Sequence, residues 1–250
     1  MSDNKLPRVA VLMSTYNGEK YIRKQIDSIL SQKSVDITLI IHDDGSSDST
    51  LSIVYEFIDS SKVVVLPGTG NLGPGLAFMT LLKESVDTRY DYYAFADQDD
   101  IWKREKLICA IEKIRDISKP VLYCSNQILY IDENETRLRF SDTPDLTLIG
   151  HINQNMLSGC TMVLNSKLAG EIVKRPLPDQ TLLRLRMHDA MVFLVALLIG
   201  EVVYDENAYI KYRIHESNVV GVKKTTLFSR MKRLINMEAK CLRSNTAKYL

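Results

Sequence analysis

The 250-residue chain is poor in cysteine, and its four, Cys109, Cys124, Cys160 and Cys241, lie far apart with no C-x-x-C pair. That spacing argues against a disulfide framework or a cysteine-built zinc site, and it fits a reducing compartment. Long apolar runs are also missing. The longest, "AMVFLVALLIG" from Ala190 to Gly200, falls well short of the ~20 residues that span a bilayer. The start, "MSDNKLPRVAVLMS", lacks the apolar core of a signal peptide. Neither sign of charge dominates: Lys and Arg number 32 against 31 Asp and Glu, so a general nucleic-acid surface is not expected. No G-x-G-x-x-G follows the first apolar run and no G-x-x-x-x-G-K-[ST] exists, which removes the dinucleotide fingerprint and the P-loop. Internal repeats and low-complexity tracts are absent. With 45% hydrophobic residues, one large core in a cytosolic protein is the expectation.

What is present is alternation. "RVAVLMST" reads as a strand ending in the turn "TYNGE", and Ile22, Ile26, Ile29 and Leu30 then share a helical face. "ITLIIHDD" is a second strand closed by "GSSDST", a turn and N-cap signal. "KVVVLPG" and "DYYAFADQDD" are further strands, each followed by a helix, the last from about Lys103 to Ile117. Strand and helix alternating in this way predict an α/β fold with a mostly parallel, Rossmann-like sheet flanked by helices. Ligands of such sheets bind beyond the carboxyl ends of the strands. "STYNG", "HDDGSSD" and "DQDD" all sit there. In the second half, "DENETRLRFSDTPDLTLIG" reads as a loop or hairpin, and "GCTMVLNSKLAGEIV" as strand and helix. A long connection, "KRPLPDQTLLRLRM", is expected to lead to a helix buried on every side, "HDAMVFLVALLIGE", and then to closing strands.

A rim of carboxylates repels phosphate, so a phosphorylated ligand here needs a bridging cation. Carboxylate oxygens suit Mg²⁺ or Mn²⁺. Asp97 and Asp99 project to one side if the segment stays extended. A D-x-D alone is also what a polar turn looks like.

Taken together and in order, "VAVLMSTYNGEKYIRKQIDSILSQ", "LIIHDDGSSDST", "NLGPGLAF" and "FADQDDIW" resemble the inverting family-2 glycosyltransferases of the GT-A fold. The wording is most similar to bacterial rhamnosyltransferase-type members of cell-surface polysaccharide synthesis. The resemblance covers about residues 8–220. It implies a nucleotide-sugar donor, favouring dTDP-L-rhamnose, a divalent cation (Mn²⁺ or Mg²⁺) and a lipid-linked glycan acceptor. It also implies roles for particular residues. Thr15, Tyr16 and Asn17 fall in the motif that holds the nucleotide, with Tyr16 either stacked on the base or packed under a loop. Asp43 and Asp44 match the element that meets the base or ribose, unless they merely cap a helix, a task open to Ser46, Ser47 or Asp48. Asp97 and Gln98 fall near the ribose and donor sugar, and Asp99 at the metal. Asp100 stands behind these ligands, and Trp102 either packs on sugar or closes the loop. Asp189, after His188 in "RMHDAMVFL", matches the catalytic base, with an N-cap as the alternative, and His188 falls on the acceptor side or behind the residues that touch the ligands. His215, in "YRIHESNVVG", matches a late histidine that completes the metal site or meets phosphate. Gly159 and Cys160 match a small-residue strand start beneath the acceptor. One departure stands out: Phe78 and Met79 occupy positions where many members carry Arg-Asn, so a cationic contact to the nucleotide is missing or comes from elsewhere.

The chain is therefore expected to form one domain over residues 1–224. Its nucleotide-sugar part covers about 8–118 and its acceptor part 119–224, followed by a basic amphipathic helical tail over 225–250. That tail is expected either to touch the inner face of the plasma membrane or to pack on the domain or a second subunit.

Overall fold

The computed structural model describes residues 5–68, 70–153, 157–176 and 180–215. The chain divides into two compact units, Met1–Arg213 and Ile214–Leu250, and the account below concerns the first. The expected tail from Thr225 onward lies outside the described residues.

Strand β1 (Arg8–Thr15) lies between β2 (Asp36–Asp43) and β4 (Tyr92–Ala96), and β3 (Val63–Leu66) pairs the far side of β2. All three pairings are parallel. Val9 to Met13 are wholly buried without alternation, because helices cover both faces of a parallel sheet. In α1 (Ile22–Leu30), Ile22, Ile26 and Ile29 form the buried stripe that their spacing predicts. Helix α2 (Thr50–Tyr55) follows β2. Helix α3 (Pro74–Ser85) starts with proline at its first turn, after Gly73 at φ 76°.

Past β4 the sheet changes character. Its order is β3-β2-β1-β4-β8-β6-β9-β5. The short β8 (Val163–Asn165) runs antiparallel to both β4 and β6 (Val121–Ile131). Strand β9 (Glu201–Arg213) runs parallel to β6 and carries β5 (Ile101–Trp102) on its outer edge. The "DENETRL" stretch is the hairpin arm β7 (Asn134–Leu138), which pairs with β6.

Several expectations need correction. Helix α4 runs Lys106–Ile114, shorter than the sequence suggests, because the Lys103 amide donates to the Tyr209 carbonyl and keeps that backbone in the β5–β9 pairing. The connection before "HDAMVF" is itself helical from Gln180. It continues as α7 (Gln180–Ile199) through a break at Met187, whose φ is 58°. That helix is not buried all round: Val192, Phe193 and Ala196 are inside, while Leu198 is 67% exposed. The closing segment is one long strand with register shifts, not several. Helices α5 (Leu148–Asn153) and α6 (Ser166–Val173) complete the unit. Phe78, Leu82, Phe95, Leu122, Met162 and Phe193 meet in one core between α3, α7 and the sheet.

Candidate active site

The "DQDD" segment is the link between β4 and β5. It turns instead of staying extended, which brings the Asp100 side chain to that of Asp97. Cys160 joins them. It lies on the short helical turn Gly159–Thr161 just before β8, and the Ala94–Val163 pairing sets that turn beside the end of β4. One ligand atom each from Asp97, Asp100 and Cys160 lies within 4.8 Å of the others.

Burial pushes the Asp97 carboxyl up to about 7, with the neighbouring charges of Asp99 and Asp189 adding to the effect. Asp100, 1% exposed, is raised well above the usual carboxylate range by burial first, then by Asp99 and Asp97. Its Oδ1 accepts from the Arg213 amide at 3.1 Å, while Oδ2 is buried without a hydrogen-bond partner among the described residues. Two crowded carboxyls and an unsatisfied carboxylate oxygen are what a hard divalent cation relieves, so the residues fit such an ion. The Cys160 thiol is held protonated by burial and by these carboxyls, which leaves the oxygens as the better ligands.

Two cations stand behind the turn, and motif reading missed both. Arg213 donates from Nε to the Asp99 carbonyl at 2.9 Å and from Nη1 to Glu133 at 2.6 Å. Its guanidinium lies 4.6 Å from the Tyr21 ring and 4.8 Å from the Tyr130 ring. It therefore fixes the turn from the last residue of β9. Lys106 is fully buried, with Nζ 3.7 Å from the centre of the Trp102 ring. Burial lowers its pKa to about 7, and the charges of Cys160 and Asp100 oppose that.

Trp102 is 3% exposed, with its amide bonded to Ser28, so it closes the loop and is not a sugar platform. Gln98 turns its amide onto the Tyr16 backbone, accepting at 3.0 Å and donating at 2.9 Å. Its polar atoms position Tyr16. Tyr16 itself is 49% exposed at the rim. Thr15 donates to Asp43 at 2.9 Å, and Asp43 also accepts from the amides of Gly45 and Ser46. Asp44 accepts from Leu72 and Gly73, which holds the glycine loop ahead of α3. Asn17 accepts from the Ser47 amide at 2.8 Å. Asp48 receives the Thr50 amide, so neither Asp43 nor Asp44 is needed as a cap. A groove of about 440 Å³, lined by Asp43, Gly45, Leu51, Tyr55, Leu66 and Pro67, opens beyond β2 and β3. A larger groove, about 540 Å³ and lined by Pro120, Lys167 and Ile199 among others, shares none of these residues.

His188 is buried against Phe78, with ring centroids 4.1 Å apart, and its pKa falls to about 3 through burial. It is a neutral core residue, not an acceptor contact. A Cβ on Gly159 would lie 2.3 Å from His188 Nε2, so the glycine clears space for the imidazole. Asp189 follows the Met187 break, is half-buried, and accepts from the Ala190 amide at 2.7 Å. His215 belongs to the second unit, outside this geometry.

The carboxylate turn, the neighbouring Asp189 and the parallel β-rim are those of a nucleotide-sugar-dependent transferase fold. The "Glycosyl transferase family 2" model matches residues 10–172, and the chain belongs to that family of enzymes. It is 34% identical to dTDP-rhamnosyl transferase RfbG of Shigella flexneri over 214 residues, covering 84% of this chain and 73% of that protein. The fold is similar to that of S. aureus TarS solved with UDP-GlcNAc, with a TM-score of 0.64 and 22% identity, covering 84% of this chain and 60% of that one. It is also similar to a mannosyltransferase of Pyrobaculum calidifontis solved with GDP-Man and Mn²⁺, with a TM-score of 0.62 and 16% identity, covering 86% of this chain and 59% of that one.

Proposed function

We propose that the protein moves L-rhamnose from dTDP-L-rhamnose to a hydroxyl of a lipid-linked glycan in the synthesis of a bacterial surface polysaccharide. The observation that carries the chemistry is the convergence of Asp97, Asp99 and Asp100 at the end of β4, with Asp189 near enough to raise the Asp97 pKa. The donor rests on likeness to the Shigella rhamnosyl transferase.

In this reading the nucleoside lies at the rim formed by Tyr16, Asn17 and the Asp43–Asp44 loop, with the 440 Å³ groove beside it. Asp97, Asp99 and Asp100 would hold Mn²⁺ or Mg²⁺. Bound there, the cation neutralises charge on the donor diphosphate. Asp189 accepts the proton of the acceptor hydroxyl as the oxygen attacks the anomeric carbon and the nucleoside diphosphate departs. A single displacement inverts a β-linked donor to an α-linked product. Work on a lipid-linked acceptor implies peripheral contact with the inner face of the membrane. No helix among the described residues is long and apolar enough to cross one.

The test is transfer from labelled dTDP-L-rhamnose, UDP-glucose and UDP-GlcNAc, each with Mn²⁺ or with excess EDTA. Rhamnosyl transfer that needs metal is expected. Efficient use of UDP-glucose with none of dTDP-L-rhamnose would overturn the donor, and full activity in EDTA would overturn the metal.

A further inference from the structure

The position where many relatives of this motif pattern carry arginine is Phe78 here, 3% exposed and stacked on His188. Helix α3 therefore brings no cation to the diphosphate from that position. The cations behind the carboxylate turn are not free to replace it: Arg213 is paired with Glu133, and Lys106 is sealed over Trp102.

Arg139 differs from both. It follows β7, and its amide donates to the Gln127 carbonyl at 2.8 Å, so its backbone is held against β6. Nη1 donates to Gln127 Oε1 at 2.7 Å and to the Ser158 hydroxyl. Its guanidinium carbon stands 5.1 Å from the Phe140 ring centre and 5.9 Å from that of Tyr212. The partners are neutral, and no carboxylate pairs with Arg139 among the described residues. Half-buried Arg8 and buried Arg213 each face one, Asp91 and Glu133. Nη1 is the only guanidinium nitrogen of Arg139 that donates to a described group, which leaves N–H donors on Nε and Nη2 for a ligand.

Two routes tie this guanidinium to the carboxylates. Gln127 Nε2 donates to Cys160 Sγ at 3.2 Å, and Cys160 stands with Asp97 and Asp100. The Tyr212 phenol is raised by burial, then by Asp97, Cys160 and Asp100, with Arg139 opposing them, so both signs of charge act on one hydroxyl. A guanidinium oriented by packing, half out of water and with no carboxylate paired to it among the described residues, is matched to a phosphoryl group by its planar fork. We propose that Arg139 is the cationic contact for a diphosphate in this site, carried either by the nucleotide donor or by the lipid-linked acceptor. This deepens the transferase reading and rests on it.

Calorimetry on the full chain tests it, with wild type, Arg139→Met, Arg139→Lys and Gln127→Glu, the last placing a carboxylate against Arg139 without removing it. Four probes are used in Mn²⁺: dTDP, thymidine, a short-chain prenyl-diphosphate sugar and the alkyl glycoside of that sugar. For one diphosphate, R139M is expected to raise Kd ~10–100-fold, the range of one or two charge-assisted hydrogen bonds, with R139K recovering part. Q127E should weaken the same ligand, while thymidine and the alkyl glycoside stay unchanged. Which diphosphate responds identifies its source. Diphosphate affinities within twofold of wild type in R139K and Q127E would overturn the proposal, even if R139M fails to fold. Pyrophosphate is the fifth probe. A wild type that binds it through Arg139 but binds neither nucleotide nor glycolipid keeps the anion site and discards the transferase reading. Failure to bind any of them discards both.

Discussion

The two halves of the sheet reach the site differently. From β3 to β4 the strands are parallel, and each ends in a polar turn at the same rim. From β8 to β5 the pairings are mixed, and what arrives is a set of side chains from distant elements: Cys160 ahead of β8, His188 and Asp189 after the break in α7, and Arg213 at the end of β9. The parallel half concentrates carboxylates in one place. The mixed half buries them, which raises the pKa values of Asp97 and Asp100, and supplies the groups that hold the turn in shape. A nucleotide-facing edge can thus be assembled from local turns, while the chemistry depends on contacts between residues ~100 positions apart in the chain, whose closure is entropically costly.

If the mixed half supplies the chemistry, its carboxylate should dominate turnover and leave nucleotide binding alone. Asp189→Asn keeps shape and hydrogen bonding but removes proton acceptance. Its kcat should fall by ~10²–10⁴ with donor Kd little changed. A donor Kd that rises as kcat falls would assign Asp189 to the parallel half's task. An Asp189→Asn protein that unfolds while its folded fraction stays active would make the residue a cap.

A second contrast concerns burial. The His188 pKa is held near 3, against an ordinary 6.5, through burial alone. A depressed folded pKa means that the neutral ring's contribution is present above pH 6.5 and is lost as the pH falls from 6.5 toward 3. At 1.36 kcal/mol per unit the effect is on the order of 5 kcal/mol at the acid end. Neither ring nitrogen has a hydrogen-bond partner among the described residues, so His188→Phe removes the titration without breaking a bond to any of them. Urea unfolding from pH 8 to pH 4 should show the variant gaining on wild type throughout the acid limb. Parallel curves would show that the ring does not stay neutral.

The parallel half was legible because its information is local. Period, turn residues and motif order placed four strands and the rim clusters, and they identified "DQDD" as the link at which the acidic groups gather. Extended D-x-D geometry was the wrong picture because β5 leaves to pair with β9, which forces a turn and brings Asp100 to Asp97. Trp102, His188 and Gln98 carry polar atoms in matching motifs, yet their contacts are internal, and a motif does not say which way a side chain faces. Arg213 was visible as the arginine of the "YRIH" string. Its tie to the Asp99 carbonyl spans 114 positions, which no periodicity reports. Arg139 and Gln127 had no motif signal.

The smallest effect separates positioning from contact inside the parallel half. Gln98 closes two hydrogen bonds on the Tyr16 backbone, both exposed, each worth ~0.5–1.5 kcal/mol at most. Gln98→Ala should therefore lower stability by ~1 kcal/mol and raise the KM for donor several-fold with kcat unchanged, as expected when only the nucleotide rim loosens. Gly18 supplies the control. A Cβ there would lie 2.2 Å from Gln98 Oε1 and 2.6 Å from Cδ, so Gly18→Ala must push the glutamine off Tyr16. In the Gln98→Ala background that obstacle is gone. Gly18→Ala should then cost little, and the double-mutant cycle should show a coupling of ~0.5–3 kcal/mol, as residues in contact do. Additive losses in Tm and KM would mean that the two sites act separately. A fall in kcat for Gln98→Ala would instead give Gln98 the direct donor contact that its motif position suggests.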